Sequence, residues 1–459
     1  MPMPPGLRRD LGLWSAAAVV VGSMIGVGIF LGPRVVAQQL PTPGMMLLAW
    51  TLGGAFVLCG ALTYAEMGAM LPRSGGSYNF IKEAYGPLPA FLSGWSGVAI
   101  GKAANVSALA VGFGETIALF LPITELGKIL VAAAIVLGVA LINTLGVRHA
   151  GRLSVAAMAV KIGALTLLVV GGLLVLGPKL GALATGQAPP GPSGVGLFSA
   201  FGLALIPVFF AYDGWENSTQ VAEEVRDPQR NVPRSVVLGT LVVMALYVLA
   251  NLVYLLAIGP ADVGQTNAAA GRTADAIVPG ASALVTVAIL LSIVGTVNNI
   301  VLTGPRIAYV MGRDGLFPEA MGKVTRWGTP ARAIALQTVI SLALVLLPPV
   351  GNGRLFDTLL TYIIVDSFIF YALATSAVFV LRRTRPDAPR PFRVPLYPWV
   401  PAVFVVGSVA FILNAFWRTP AQAVVGVLIV LAGLPLYVYL RWRGRARRVA
   451  SVSYQMAGR

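Results

Sequence analysis

One cysteine and one histidine are all that 459 residues hold of the two side chains most used for disulfides and transition-metal sites. With Cys59 alone, no intramolecular disulfide can form, and the redox compartment stays open. His149 by itself cannot make a metal centre, and no metal or other cofactor is expected. Charge is scarce as well. Only 11% of residues are Asp, Glu, Lys or Arg, where a soluble domain carries roughly a quarter. Most of the surface therefore does not face water. Acidic residues are the scarcer sign, 17 against 33 basic, for a net charge of +16. In a soluble chain that excess would suggest nucleic acid. No interleaving of basic and aromatic side chains supports it, so nucleic acid is not an expected partner.

What is abundant is apolar sequence, 57% of the chain, with Gly and Pro scattered through it as transmembrane helices tolerate. A spanning helix needs about 20 predominantly apolar residues. Twelve stretches qualify: Gly12–Gln38, Gly44–Met70, Gly86–Phe120, Leu126–Leu145, Leu153–Gly177, Gly196–Val225, Pro233–Ile258, Ala281–Met311, Ala331–Pro349, Leu355–Leu381, Trp399–Trp417 and Ala421–Leu440. The first is too long for a signal peptide and lacks a convincing small-residue cleavage site. With the N-terminus taken as cytoplasmic, alternate loops and the C-terminal tail carry 25 Lys and Arg, and the opposite side carries 6. That bias predicts an even number of spans in a cytoplasmic membrane with both ends inside, and some attraction to anionic lipid.

Two spans have weak points. The first contains Gly22-Ser23-Met24-Ile25-Gly26-Val27-Gly28-Ile29-Phe30, with three glycines in seven residues. Each destabilises a helix interior by roughly 1 kcal/mol relative to alanine. The sixth contains Phe210-Ala211-Tyr212-Asp213-Gly214-Trp215, with Pro207 just before it. Spans one and six are five apart, the spacing of two five-span units that would be inverted because five is odd. Interrupted helices at matching places in two halves point to a transporter's midplane site. An unwound turn frees N–H and C=O groups in low dielectric, and a ligand or ion can satisfy them. Half-helix N-termini favour a carboxylate, and freed carbonyls favour an ammonium. The competing reading is close packing, since Gly22 and Gly26 fit small-xxx-small spacing. Asp213-Gly214 in the partner span favours the site.

These segments resemble the amino acid–polyamine–organocation superfamily and, within it, the L-type amino acid transporter (light-chain) family. The likeness runs from about Leu13 to Leu381. It includes the first-span glycine motif, Tyr64-Ala65-Glu66-Met67-Gly68 with Pro72-Arg73-Ser74-Gly75-Gly76-Ser77-Tyr78, the sixth-span motif with Glu223-Glu224 and Asn231-Val232-Pro233, and Arg306 with Arg313-Asp314-Gly315-Leu316-Phe317-Pro318. The resemblance implies an all-α polytopic membrane protein with a LeuT-like 5+5 inverted repeat. The repeats would be residues 12–178 and 195–381, with two further helices in 399–440, making 12 transmembrane helices. It also implies alternating access, with substrate between the first and sixth helices. The implied substrate-binding residues are Ser23, Met24, Ile25, Gly26, Val27, Gly28, Phe210, Ala211, Tyr212, Asp213 and Gly214. Tyr247 resembles a seventh-helix tyrosine that faces the centre. Two departures matter. The segment Phe120–Lys128 lacks the cysteine that joins animal light chains to a glycoprotein, so no disulfide-linked heavy chain is expected. And Asp213 stands where that family commonly has glycine, at the amine end of the site.

Charged residues inside spans are functional candidates by default. Lys161 lies about 12 Å along the fifth span from Leu153, deep for snorkelling. By resemblance it would substitute for a bound sodium ion, bridging backbone oxygens of the first helix and hydroxyls of the eighth, Ser292 and Thr296. Lys102 either acts directly or partners Glu66, Asp213 or Asp366. Asn298 and Asn299 are expected to face the bundle, with Asn299 a further substrate contact. Glu223 and Glu224 with Arg226, Arg230 and Arg234 read as a cytoplasmic gate. The leading expectation is a secondary transporter of small neutral L-amino acids, working by exchange or proton coupling. A cationic amino acid or polyamine carrier of the same fold is the near alternative. A membrane-embedded enzyme or an amino acid sensor is the distant one. No repeated filter-like loop suggests a channel.

Overall fold

The computed structural model describes residues 7–118, 121–181, 194–266, 268–346, 355–418 and 420–442. Phe120, Pro349, Arg354 and the basic tail beyond Trp442 lie outside these. Among the described residues, nine helices are long and apolar enough to cross a membrane, and two shorter apolar ones cover Gly196–Tyr212 and Ala331–Val345.

Helix α1 (Leu13–Met24) and α2 (Gly28–Gln39) together form the first crossing, separated by three non-helical residues. Helix α3 (Pro43–Met70) starts on Thr42, whose hydroxyl accepts from the Met45 N–H, with Pro43 at the first helical position. Both features suit a helix start, where backbone N–H groups lack intrahelical partners. A short helix, α4 (Ser77–Tyr85), follows. The third crossing is α5 (Pro87–Ser96), a π-turn at Gly97–Gly101, and α6 (Lys102–Ala118). Then come α7 (Glu125–Thr144), capped by Thr124, and α8 (Val147–Leu176).

The expected sixth span, Gly196–Val225, is interrupted at Asp213-Gly214, within the weak point read from the sequence. Helix α9 (Val195–Tyr212) stops at Asp213, which is extended, and Gly214 has φ +97°. A side chain rarely adopts that φ, so the helix cannot continue there. The chain resumes as a single turn, α10 (Asn217–Gln220), and leaves through Ala222–Glu224. Helix α11 (Pro228–Gln265) is interrupted at Gly259-Pro260. A short α12 (Ala269–Ile277) precedes α13 (Ser282–Thr303) and α14 (Pro305–Arg313). The remaining helices are α15 (Ala331–Val345), α16 (Leu355–Thr384), α17 (Trp399–Arg418) and α18 (Pro420–Leu431).

Helix α1 sits at the centre, packed on α8, α11 and α13, while α2 packs on α9. The periphery is apolar: Leu130, Leu137 and Leu141 on α7, and Leu167 and Leu174 on α8, are exposed. Exposed leucines at helical spacing suit a lipid-facing stripe, because hydrocarbon imposes no penalty on them. Trp14, Trp399, Trp417 and Trp442 are exposed near helix ends, as expected of side chains that anchor at a membrane interface.

Candidate functional site

The two helix breaks lie against each other. A Cβ built on Gly28 would stand 2.5 Å from Ala211 Cα, and one on Gly214 would stand 2.6 Å from Ser23 Cβ. Only glycine lets these backbones meet so closely. Beside them is a cavity of about 20 Å³, lined by Ser23, Met24, Gly26, Val27, Gly28, Phe210, Asp213, Gly214 and Thr296, all candidates from sequence. Lys102, Asn105, Leu109, Asn217 and Ile300 complete the lining. Its volume holds about one water.

Behind the first break, the freed carbonyls are taken by side chains. The Lys161 ammonium donates to the Gly22 carbonyl at 2.6 Å and to Thr296 Oγ1 at 2.7 Å. Ser292 Oγ donates to the Ile25 carbonyl at 2.9 Å, and Thr296 Oγ1 lies 3.1 Å and 3.2 Å from the Gly22 and Ile25 carbonyls. Lys161 is 2% exposed, and its Nζ is held by these protein oxygens. The Tyr247 hydroxyl donates to the Met24 carbonyl at 2.7 Å and lies 3.1 Å from the Ala211 carbonyl. It clasps both breaks from behind and does not line the cavity. Ile25, Ala211 and Tyr212 are also outside the lining, and the Tyr212 hydroxyl turns away to donate to the Trp50 carbonyl at 3.1 Å.

Asn299 is not brought to the cavity. It accepts from Ser154, donates to the Ala18 carbonyl at 3.3 Å and lies against Gly22. Asn298 donates to Ser154 and Ala150 and accepts from Asn143. The pair ties α13 to α7, α8 and α1.

On the second break, Asp213 accepts from the Tyr371 hydroxyl at 2.8 Å, and Asn105 Nδ2 is 3.4 Å away. Lys102 does not pair with Glu66, Asp213 or Asp366. Its ammonium donates to Glu216 at 3.2 Å and to Asn217 at 3.0 Å. Glu216 and Asn217 went unnoticed in the sequence because the hydropathy of the preceding run carries past them. Two acceptors directly after Asp213-Gly214-Trp215 are the signal that marks them.

The expected Glu223-Glu224 cluster is rearranged. Glu224 and Arg306 form a two-bonded pair at 2.8 Å and 3.2 Å, both fully buried, and Glu223 pairs with Arg313 at 2.9 Å. Arg226 donates to the Arg9 carbonyl. The acids at the end of the second break are thus held by the two ends of α14, 82 residues on for Glu224. Nearby, Asp314 takes the Tyr78 hydroxyl at 2.7 Å and Lys82 at 2.6 Å, and the segment before α1 bridges Leu11 to Val225. All of this lies on the face that carries the start of α1. The intramembrane Glu66 meets Arg382 at 2.6 Å, not Lys102.

Comparison with known proteins agrees with this architecture. The chain is 32% identical to the serine/threonine exchanger SteT of Bacillus subtilis (strain 168), over 95% of this chain and 98% of that one. It is 30% identical to the b(0,+)-type amino acid transporter 1 of Mus musculus, over 98% of this chain and 92% of that one. It is equally similar to the mouse large neutral amino acids transporter small subunit 2, over 94% and 81%. The sequence profile described as amino acid permease matches residues 11–440, and the chain belongs to that family.

Proposed function

We propose that the chain carries amino acids across the cytoplasmic membrane by alternating access, as an exchanger or a proton-coupled symporter, with small neutral L-amino acids among its substrates. The observation that carries this reading is the shared cavity between two broken helices. The N-terminus of α2 at Gly28 lines it, and there the helix dipole suits an α-carboxylate. Asp213 lines its other side and suits an α-ammonium. SteT and the b(0,+)-type and large neutral transporters, each similar over nearly the whole of this chain, support the same reading.

Lys161 serves as a built-in cation, in the position of an ion that would otherwise neutralise the carbonyls of the first break. Residues 12–178 and 195–381 form two inverted repeats, and residues 399–440 add two helices, giving twelve spans. The broken helices at corresponding places support this. The 25:6 bias of Lys and Arg supports cytoplasmic placement of both ends.

A cavity with room for one water must enlarge before an amino acid enters, so binding and opening are coupled. Counterflow uptake in proteoliposomes against twenty amino acids and putrescine tests the reading. Exchange of at least one small neutral amino acid is expected. No exchange of any amino acid, with protein correctly inserted, would overturn it.

A further inference from the structure

A second cavity of about 60 Å³ shares Lys102, Asn105 and Asp213 with the first and extends to Gly75, Ser77 and Tyr78, at the start of α4. Three carboxylates line it, Asp213, Glu216 and Asp366, against one ammonium, Lys102. Buried carboxylates in such excess are costly, and a group so placed takes up a proton instead of staying charged. The hydrogen-bond partners single out which one. Glu216 accepts from the Lys102 ammonium at 3.2 Å and from the Gln220 side-chain amide at 3.0 Å, groups that can only donate. Asp213 has Asn105 Nδ2, also a donor only, at 3.4 Å, and the Tyr371 hydroxyl at 2.8 Å. Asp366 has the Ser96 hydroxyl as its one partner among the described residues, and no cation pairs with it there. A hydroxyl can donate to a carboxylate or accept from a carboxyl, so this pair suits both protonation states. The other oxygen, Oδ2, faces Gly101 of the π-turn, 3.5 Å from where a Cβ would stand.

Glu216 Oε2 and Gln220 Oε1 have no donor among the described residues, in side chains 1% and 3% exposed that line the same cavity. Acceptors placed in this way suit water that carries a proton between Asp366 and the Gly75 end. The charged and titratable groups that face Asp366 are Lys102 from α6, Asp213 and Glu216 from the second break, Tyr78 from α4 and Tyr371 from its own helix. Lys82 and Glu83 on α4 are engaged by Asp314 and Arg385, and Glu66 on α3 by Arg382. Residues Trp399 to Trp417 of α17 and the whole of α18 hold no titratable side chain.

We propose that Asp366 is a proton-binding site, and that its proton competes with the α-ammonium of the amino acid. The inference rests on the reading of the first cavity as an amino acid site, and within that reading it favours exchange over symport. Without substrate, Asp366 carries the proton and two carboxylates remain against Lys102. An ammonium arriving at Asp213 brings a positive charge to the shared lining and weakens proton binding at Asp366. The Asp366 O–H bond breaks, its electron pair stays on the carboxylate, and the proton leaves to water. The charge lining the cavity is the same before and after, because the ammonium replaces the proton. By linkage, the proton weakens amino acid binding by the same factor.

Calorimetric titration of the purified full-length protein with alanine, in steps from about pH 5 to about pH 8, tests this. Affinity is expected to rise with pH by at most about tenfold per unit, the limit for one competing proton. In weakly buffered solution with an indicator dye, alanine is expected to release a proton. Asp366→Asn, which imitates the protonated acid, is expected to release none and to stay near the low-pH affinity of the wild type. Any titration of alanine itself persists in the variant, so the comparison removes it. Ser96→Ala takes away the donor that favours the charged form and is expected to move the rise to higher pH. Wild-type affinity that falls as pH rises, or the same pH dependence in Asp366→Asn, overturns the proposal. If Asp366→Asn does not fold, an unmoved rise in Ser96→Ala overturns it. If alanine binds equally well at every pH, the proton site fails and the amino acid site stands. If none of the twenty amino acids binds at any pH, the amino acid reading itself fails.

Discussion

Lys161 and the site glycines test different things at the level of single side chains. The Lys161 side chain touches the Gly22 carbonyl and Thr296, so its loss leaves oxygens of the first break without this donor. Lys161→Ala is expected to abolish uptake, while wild-type uptake is unchanged when choline replaces sodium. Sodium-dependent uptake in the wild type, or normal uptake in the variant, would remove the built-in-cation role. Gly26 and Gly28 divide site from packing. A Cβ on Gly26 meets only side-chain atoms of Thr296 and Leu109, none nearer than 3.4 Å, which are ordinary contacts, whereas one on Gly28 meets Ala211 backbone. Gly28→Ala must therefore push the two breaks apart, at about 1–3 kcal/mol for an overpacked position, read as a lower unfolding temperature. Gly26→Val keeps most of the stability but projects methyls beside a cavity that it lines. Lost amino acid binding with a near-native unfolding temperature is the expected result. Normal affinity in Gly26→Val would mean that this glycine serves helix packing.

Between elements, the Glu224–Arg306 pair is the strongest tie from the exit of the second break to α14. Both side chains are fully buried and meet through two hydrogen bonds. Removing one partner of a buried pair costs about 3–5 kcal/mol, because the other charge is stranded. Glu224→Ala is expected to lower the unfolding temperature well beyond the effect of Glu223→Ala. Glu223 and Arg313 are partly exposed, and such pairs contribute about 0–1 kcal/mol. Equal effects of the two substitutions in a thermal melt would show that the buried pair is not the structural tie. Tyr247 does a comparable job at the other side of the breaks. Its single hydroxyl reaches carbonyls from α1 and α9, which makes α11 the element that registers one break against the other.

For the whole molecule, the helices were legible because hydropathy over 20 residues is a long signal, and the breaks because glycine and aspartate interrupt it. Contacts across more than a hundred residues were not legible from composition or spacing alone; those of Lys161 with Gly22 and Thr296 were expected only from the family resemblance. Lys102 pairs with Glu216, 114 positions away, and not with any of the intramembrane acids that composition offered. Asn299 shows a subtler failure. It lies three residues from Thr296 on α13, hence on a similar face, but about 4.5 Å further along the axis, where it meets Ala18 and Ser154 instead of the cavity. The same long-range pairings would have to part if the proposed alternating access opens this face. The face carrying the start of α1 is tied by Glu223–Arg313, Asp314–Lys82 and Glu224–Arg306. Opening there would require the second break's exit to leave α14, and the partly exposed Glu223–Arg313 pair marks a point where that separation can be blocked. In a Cys59→Ser background, Glu223→Cys with Arg313→Cys and a short bismaleimide is expected to stop counterflow while each single variant still exchanges. Amino acid binding in detergent should persist in the cross-linked protein, entering from the opposite face. If cross-linked protein transports normally, this corner stays together through the cycle and the opening must lie elsewhere.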